Sequence, residues 1–185
     1  MKTRLAAKIG ASAACDAYQK LVRAVLNRID SIRDVQIRYS PDDAESEVHP
    51  WLRRSWTLSP QGSGDLGERL TRAFAESFAD GARRVVIIGS DCPWLSDVDI
   101  EDAWNDLETH ELVLGPARDG GYWLVGLREP KPELFSAISW STGAVLEETL
   151  EHARARGLRF RLLRELRDVD TLGDWYTFLH DNSFA

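Results

Sequence analysis

Apolar residues recur along the chain in a pattern that predicts helices alternating with strands. Between residues 2 and 29 they recur at helical spacing, which predicts one helix or two helices that meet near Gly10. Residues 35–39 alternate between apolar and polar as a strand that Pro41 ends, and residues 56–58 predict another short strand. The first third of the chain is therefore predicted to be helical and then extended.

The rest of the chain continues this alternation. Asp65 and Glu68 have the spacing of a capping box, which predicts the start of a helix that Gly81 ends. Residues 85–88 form an uninterrupted β-branched run, typical of a central parallel strand covered on both faces. The remaining predicted elements are a helix capped by Ser96, neighbouring strands at 111–114 and 122–125, a helix at 142–156, a strand at 160–163 and a helix that starts at Thr171. Together they predict an α/β fold in one domain, residues 1–185, with a mainly parallel mixed sheet and helices on both faces.

The charge balance and the cysteine count narrow the class of protein. The 185 residues carry 30 acidic and 23 basic side chains, a formal charge of −7, which argues against a broad basic face for nucleic acid. No apolar run approaches the roughly 20 residues that span a bilayer, and no apolar signal segment follows Met1. Two cysteines make no disulfide framework. We therefore expect a cytoplasmic protein without nucleic-acid partners or a membrane span, and oligomerisation stays open.

Asp91 is the first candidate for chemistry. It follows the 85–88 strand at its carboxyl end, where ligands bind in open α/β sheets. A carboxylate there is a hard oxygen ligand, suited to Mg²⁺ or Mn²⁺ held jointly with phosphate oxygens. Capping of the next helix is the alternative, but Ser96 and Asp97 are better placed for it. Position therefore favours the metal role.

Asp168 and Asp170 form a second acidic candidate. Alternation along an extended segment points both carboxylates the same way, within reach of one cation. The alternative is capping of the last helix, which Thr171 can do together with Asp174. Spacing alone leaves both interpretations open.

A Gly-Gly turn supplies a third candidate. Asp119 precedes Gly120, Gly121 and Tyr122, and a turn of this kind lets the backbone approach a ligand closely. Asp119 could then bind a hydroxyl or a metal-bound water. A plain hairpin turn would have the same sequence, so the turn alone does not decide between the two.

Two further segments bear on ligand binding. The glycine-rich loop that begins at Gln61 and Gly62 opens a helix, but Asp65 puts a negative charge at its cap and the Gly-Lys-Ser/Thr ending of a P-loop is absent. We interpret it as a loop that shapes a substrate site.

Lys2 and Arg4 are two cations near a helix start. Cations in this position usually belong to a solvated surface, but these two could neutralise phosphates if they lie over the sheet edge.

Taken together, these motifs resemble a known family. The segments that carry the resemblance are KTRL (2–5), QGSGDLGER (61–69), GSDCPWL (89–95), GPARDGGYWLVGL (115–127), SWST (139–142) and DVDT (168–171). In this order they resemble the radical-SAM/selenodomain-associated transferases, small bacterial proteins with a Rossmann-like GT-A (nucleotide-diphospho-sugar transferase) fold, linked in some cases to arsenosugar biosynthesis. More distantly, the chain is similar to the molybdenum-cofactor and 2-phospholactate guanylyltransferases.

The resemblance implies an enzyme that uses Mg²⁺ or Mn²⁺ to move a sugar from a nucleotide-diphospho-sugar to a small acceptor. In that family pattern Asp91 and Asp170 match the metal positions, and Lys2 and Arg4 match cations near the diphosphate. The metal would stabilise the leaving nucleoside diphosphate.

The remaining site residues follow from the same resemblance. Asp119 and Tyr122 would face the sugar or the acceptor, and Asp119 is the candidate general base. The other expected substrate contacts are Gln61, Gly62, Asp65, Gly120 and Gly121. Trp94, Trp123 and Trp140 also lie inside motifs, either stacked on the sugar or packed in the core.

Two other functions stay open. The first is nucleotidyl transfer to a phosphorylated small molecule, as in the guanylyltransferases. The second is a catalytically inactive binding protein.

One part of the family pattern is missing. Members have an apolar first strand and a Pro-Gly loop ahead of the Lys2–Leu5 motif, and this sequence has neither. Either the assigned start lies too late, or the chain is a natural remnant with a gap in its sheet. We favour the late start, because losing a central strand should exceed the roughly 5–15 kcal/mol by which domains are stable.

Overall fold

The computed structural model describes residues 3–53 and 55–182. The α-helices are α1 (Thr3–Ile9), α2 (Ala11–Arg28), α3 (Glu45–Val48), α4 (Leu66–Ala79), α5 (Asp97–Asp106), α6 (Val145–Ala155) and α7 (Leu172–Asn182), with 3-10 turns at His49–Trp51 and Pro132–Leu134. The strands are β1 (Gln36–Tyr39), β2 (Thr57–Pro60), β3 (Val85–Ile88), β4 (Leu112–Pro116), β5 (Tyr122–Leu127) and β6 (Phe160–Leu162).

Helix boundaries lie at residues that the sequence singles out. Gly10 separates α1 from α2 with a φ of +86°, a conformation that favours glycine. Asp65 and Glu68 make the predicted capping box at the start of α4, and Ser96 and Asp99 make another at α5. The predicted alternation of helices and strands is confirmed.

The main sheet is mixed. Strands β3, β5, β4 and β6 lie side by side in that order, while β1 and β2 form a separate parallel pair. β5 is antiparallel to both of its neighbours, and β4 is parallel to β6. β3, β4 and β6 therefore run in one direction, and their carboxyl ends meet at one edge of the sheet. This is the mixed α/β sheet that the sequence predicts.

The position of β3 differs from the prediction. The strand lies at the edge of the four-stranded sheet, and the partner described for it is the antiparallel strand β5. All four of its side chains are half-buried. A β-branched run reports that the two faces of a strand are covered, but it contains no information about what lies beside the strand. The prediction of a central parallel strand is therefore wrong for the described residues.

Helices cover both faces of the sheet, as predicted. In β3, Val86 and Ile88 pack towards α2 and α5, in one hydrophobic cluster. Val85 and Ile87 pack towards α4 and α6, in another. Successive strand residues point to opposite faces, so this run contributes to both clusters.

A third hydrophobic cluster joins the first two helices to the acidic segment and the last helix. Leu5 of α1 and Leu21 of α2 pack with Val169 and with Phe178 of α7. Val169 lies between Asp168 and Asp170, so this packing brings the start of α1 next to the acidic segment. Within the described residues, no helix is both long and apolar enough to cross a membrane.

The two sheets border the same hydrophobic cluster without pairing. Ile37 of β1 and Val86 and Ile88 of β3 all pack against it. Among the described residues, no strand pairs with the second edge of either β1 or β3. The strand expected from the family pattern stays a prediction.

Candidate metal centre and transferase site

Three aspartates meet at the carboxyl edge of the sheet. One carboxylate oxygen from each of Asp91, Asp168 and Asp170 lies within 4.8 Å of the other two, and all three residues are half-buried. Asp91 follows β3, and the other two follow β6 after a short extended segment. Its position at a strand end predicts Asp91 as a metal ligand, and the family pattern agrees and adds Asp170. Asp168 was anticipated only as an open alternative, from its alternation with Asp170.

The β3 end of the site is built around Gly89. A Cβ on Gly89 would lie 3.0 Å from Oδ1 of Asp91, so the carboxylate occupies the space that a side chain would need. The Gly89 amide donates to the Trp123 carbonyl at 2.9 Å, which continues the pairing with β5. The Ser90 hydroxyl lies 2.7 Å from the Tyr18 hydroxyl of α2. These contacts fix the turn that carries Asp91.

A strap formed by residues 163–170 aligns the other two carboxylates. The amides of Leu163 and Leu166 donate to β4 carbonyls, at 2.9 and 3.0 Å, so the strap follows β4 beyond β6. The Val169 amide then donates to the Asp91 carbonyl at 3.0 Å. Because alternate residues of an extended chain face the same way, Asp168 and Asp170 both face Asp91.

The structure distinguishes the metal hypothesis from the capping alternatives. At the start of α7, the Asp174 carboxylate accepts from the Thr171 amide at 2.8 Å and from its hydroxyl at 2.6 Å. At α5 the cap is Ser96 with Asp99. The three clustered carboxylates are therefore not needed as caps for these helices.

The electrostatics of the cluster favour a cation. Burial, together with the charges of Asp170, Asp119 and Asp91, raises the pKa of Asp168 to about 6. Three carboxylates at this spacing are the hard oxygen donors that Mg²⁺ and Mn²⁺ prefer. A divalent cation would offset the repulsion between them, so the donor set fits either metal.

Arg4 supplies a cation at the rim of the cluster. Its Nη1 lies 3.4 Å from Oδ2 of Asp170, and its side chain is 69% exposed. Arg4 can therefore contact both the cluster and a ligand that approaches from solvent. Lys2, the other predicted phosphate contact, lies outside the described residues.

The Gly-Gly turn presents Asp119 beside the cluster. The Gly121 amide donates to Oδ1 of Asp119 at 2.9 Å. Gly120 has a φ of +88°, and a Cβ there would lie 2.2 Å from the Gly143 carbonyl oxygen, so only glycine fits. Asp119 is exposed, and its charge raises the pKa of Asp168. The predicted base therefore lies within electrostatic range of one of the clustered carboxylates.

Tyr122 faces the core instead. Its ring packs in the cluster that covers the α4 and α6 face of the sheet, and burial raises the pKa of its hydroxyl. This position favours a packing role, and the predicted contact with substrate stays a prediction.

The glycine-rich loop is braced from α4. Arg72 donates to the Gln61 carbonyl at 2.5 Å, and the Gly62 amide donates to Asp42 at 3.0 Å. The Asp65 amide donates to Glu68 in the capping box. These contacts occupy the Gly62 and Asp65 amides, which agrees with the interpretation that the loop is not a phosphate cradle. The hydrogen bonds described for Gln61, Gly62 and Asp65 run to α4, β1 and Asp42, so their predicted substrate contacts stay predictions.

A curated relative and a solved structure match this chain over nearly its whole length. The phosphoenolpyruvate guanylyltransferase of Sphaerobacter thermophilus is 32% identical over 183 residues, covering 94% of this chain and 84% of the relative. A crystal structure from Desulfovibrio desulfuricans G20, reported as a candidate nucleotide-diphospho-sugar transferase, is 34% identical with a TM-score of 0.89. The match covers 98% of this chain and 81% of the Desulfovibrio chain.

A more distant structure has the same fold. Rv0371c from Mycobacterium tuberculosis H37Rv, solved in complex with manganese, is 16% identical, and the match covers 86% of this chain and 85% of that chain with a TM-score of 0.50. At this identity the likeness shows the fold alone.

Family membership follows from a separate match. Residues 24–142 match the family described as "Uncharacterized protein conserved in bacteria (DUF2064)". With the nearly full-length relatives above, the chain belongs to the DUF2064 family and has the α/β fold of a nucleotide-diphospho-sugar transferase.

Proposed function

We propose that this protein is a divalent-metal-dependent glycosyltransferase that moves a sugar from a nucleotide-diphospho-sugar to a small acceptor. The observation that carries the proposal is the cluster of Asp91, Asp168 and Asp170 at the carboxyl edge of the sheet. The name reported for the 34% identical Desulfovibrio structure supports sugar transfer from a nucleotide-diphospho-sugar. Membership in the radical-SAM/selenodomain-associated group, argued from the motifs, is part of the same proposal.

In this reading the acidic cluster and Arg4 hold the diphosphate end of the donor. Asp91, Asp168 and Asp170 would hold Mg²⁺ or Mn²⁺. When bound, such a cation supplies stabilisation of the negative charge that develops on the leaving nucleoside diphosphate. Arg4, exposed and paired with Asp170, can donate to a phosphate oxygen from the same side. Lys2 is proposed to assist it, on the family pattern.

Asp119 is proposed as the general base. The Gly121 amide holds its Oδ1, which fixes the carboxylate and leaves Oδ2 to accept the proton of an acceptor hydroxyl. The acceptor oxygen then forms the new bond to the anomeric carbon, while the bond from that carbon to the diphosphate oxygen breaks. The glycines of the turn let an acceptor approach the backbone closely.

Guanylyl transfer is the second candidate. The relative named phosphoenolpyruvate guanylyltransferase, at 32% identity, favours it. In that reaction a phosphate oxygen of the acceptor attacks the α-phosphorus of GTP, and pyrophosphate leaves. The same acidic cluster would serve, because both reactions place developing charge on phosphate oxygens.

The products distinguish these reactions. The protein is incubated with Mn²⁺, a set of small hydroxyl-bearing acceptors and either UDP-glucose or GDP-glucose, or with Mn²⁺, GTP and phosphoenolpyruvate. Release of nucleoside diphosphate supports glycosyl transfer, and release of pyrophosphate supports guanylyl transfer. If calorimetry detects no metal-dependent binding of any of these nucleotides, the proposal is wrong. The catalytically inactive binding protein is then the function left from the sequence analysis.

A pair of variants tests the site itself. Asp91→Asn should abolish metal-dependent nucleotide binding while the thermal transition stays cooperative. Asp102→Asn, on the exposed surface of α5, removes the same charge away from the cluster and should bind as the wild type does. Equal metal binding by both variants would remove Asp91 from the site.

A further inference from the structure

The three tryptophans in the motifs have different surroundings. Trp123 is buried, and its indole N–H donates to the Arg164 carbonyl at 3.3 Å. Trp94 is covered by the Arg167 guanidinium, 4.3 Å from the ring centre, and donates to Asp181 at 3.1 Å. Trp140 is only half-buried. Among the hydrogen bonds described for residues 3–53 and 55–182, none has the Trp140 indole N–H as its donor.

Trp140 lies between the two glycine-rich segments of the site. A Cβ on Gly67, at the start of α4, would lie 2.8 Å from Nε1 of Trp140, so the missing side chain leaves room for the indole against the helix. Three residues after Trp140, the Gly143 backbone packs against Gly120 of the Asp119 turn. The Leu146 amide donates to the Gly120 carbonyl at 2.9 Å. Trp140 is therefore linked on one side to α4 and on the other to the turn that carries the proposed base.

The loop that carries Trp140 has a fixed and strained shape. Ala137 and Ser141 have φ values of +56° and +66°, in the left-handed region that L-residues rarely adopt. The Ser139 amide donates to Glu148 at 2.6 Å, and the Thr142 hydroxyl donates to the Ser139 carbonyl at 2.7 Å. These contacts from α6 and from within the loop hold the indole in place. Strain of this kind persists only where surrounding contacts impose it.

We infer that Trp140 is a specificity-determining residue that binds the sugar ring of the donor, an inference that rests on the proposed glycosyl transfer. The indole packs against the cluster on the α4 and α6 face and is otherwise half-exposed, and its exposed part can pack on the C–H face of a pyranose. Its unpaired N–H can donate to a sugar oxygen. The side chains of Ser139, Ser141 and Thr142, its neighbours in the sequence, are exposed. Few polar groups around an apolar platform are typical of small-molecule sites.

Calorimetry with Mn²⁺ tests this inference through a difference. The probes are two pairs of ligands: UDP with UDP-glucose, and GDP with GDP-glucose. For each pair the measured quantity is the Kd of the nucleoside diphosphate divided by the Kd of the corresponding nucleotide-sugar. We expect Trp140→Ala to lower this ratio about tenfold, which is ~1.4 kcal/mol, with the Kd of the diphosphate within about twofold of wild type. Trp140→Phe keeps an aromatic face without the N–H and should give an intermediate ratio.

Trp104→Phe is the matched control, because Trp104 is also half-buried and also packs against a core cluster, but that cluster covers the α2 and α5 face whereas Trp140 packs on the α4 and α6 face. It should leave the ratio unchanged. If wild type binds no nucleotide-sugar with Mn²⁺, the proposed function fails and this inference with it. If wild type prefers the nucleotide-sugar and both Trp140 variants keep the full preference, the inference alone is wrong. Trp140→Phe decides the question if Trp140→Ala does not fold.

Discussion

The ion pair between Arg164 and Asp99 is predicted to anchor the strap that carries Asp168 and Asp170. Arg164 lies in the strap, and its Nε and Nη2 bind the two carboxylate oxygens of Asp99 at 2.6 and 2.7 Å. Nη2 also donates to the Trp94 carbonyl at 3.1 Å. Arg164→Met keeps a flexible apolar stem but removes the donors, so it leaves the Asp99 carboxylate buried beside Ser96 without its cation.

The two partners differ in exposure, and this sets the magnitude. The side chain of Asp99 is 8% exposed and that of Arg164 is 54% exposed. Breaking a fully buried pair costs about 3–5 kcal/mol, whereas exposed pairs contribute about 0–1 kcal/mol. For a buried carboxylate with a half-exposed partner we expect a loss of about 2 kcal/mol in the free energy of unfolding. In a domain of this size that lowers Tm by roughly 4–8 °C.

Thermal unfolding monitored by circular dichroism at pH 7 measures this loss. Arg161→Met is the matched control, because Arg161 lies in β6 and pairs with Asp106 of α5 at 3.6 Å, with 61% and 30% of the side chains exposed. It should change stability by less than about 1 kcal/mol. The reasoning is refuted if Arg164→Met lowers Tm no more than Arg161→Met does.

The pH dependence gives a second check on the same pair. Burial raises the pKa of Asp99, but hydrogen bonds from Arg164 and Ser96 outweigh it and hold the pKa below its ordinary value. A lowered pKa in the folded state contributes stability above the unfolded pKa, and this stability is lost as the pH falls through the folded value. The difference between wild type and Arg164→Met should therefore shrink below about pH 4. A difference that stays constant down to pH 3 would contradict the assignment.

Three further substitutions test the site and its supports. Asp168→Asn should raise the Tm of the metal-free protein at pH 7, because it removes repulsion within the cluster, and should abolish the further rise that Mn²⁺ gives to wild type; an unchanged Mn²⁺ shift would exclude Asp168 as a ligand. Gly89→Ala places a Cβ 3.0 Å from Oδ1 of Asp91 and should weaken Mn²⁺ binding about tenfold by calorimetry, or ~1.4 kcal/mol, with an unchanged Kd counting against the close approach. Gly67→Ala places a Cβ 2.6 Å from the Phe135 carbonyl oxygen and should destabilise the fold by about 1–3 kcal/mol in urea unfolding; a stability equal to that of wild type would show that the contact relaxes freely.

Local patterns were enough to predict the longer helices and the strands, but not the short helix α3. The capping box at Asp65 and Glu68 and the break at Gly10 depend on residues close together in the sequence, so the sequence contains the information that sets them. The order of the strands depends on contacts between distant segments. The position of β3 at an edge could not be predicted, because its side chains report only on the faces of the sheet.

Local patterns also predicted part of the site, but not the features that depend on contacts between distant segments. Asp91 could be found because a carboxylate at a strand end is a recognisable signal. Asp168 could not be separated from a helix cap until the structure placed Asp174 at that cap. The burial of Tyr122 is set by packing against α6 and α4, which no local pattern reports.

The second edge of β3, with which no strand among the described residues pairs, bears on how the protein behaves at high concentration. A strand edge exposes a row of backbone donors and acceptors, and four β-branched apolar residues beside it make a template on which another chain can add a strand. The run is bounded by exposed Arg83 and Arg84 on one side and by Asp91 beyond its other end. Such flanking charges act as gatekeepers against self-association. In a parallel, in-register pair of copies the like charges would face each other, and salt screens that repulsion without weakening the apolar attraction, so raising the ionic strength should favour parallel self-association through β3.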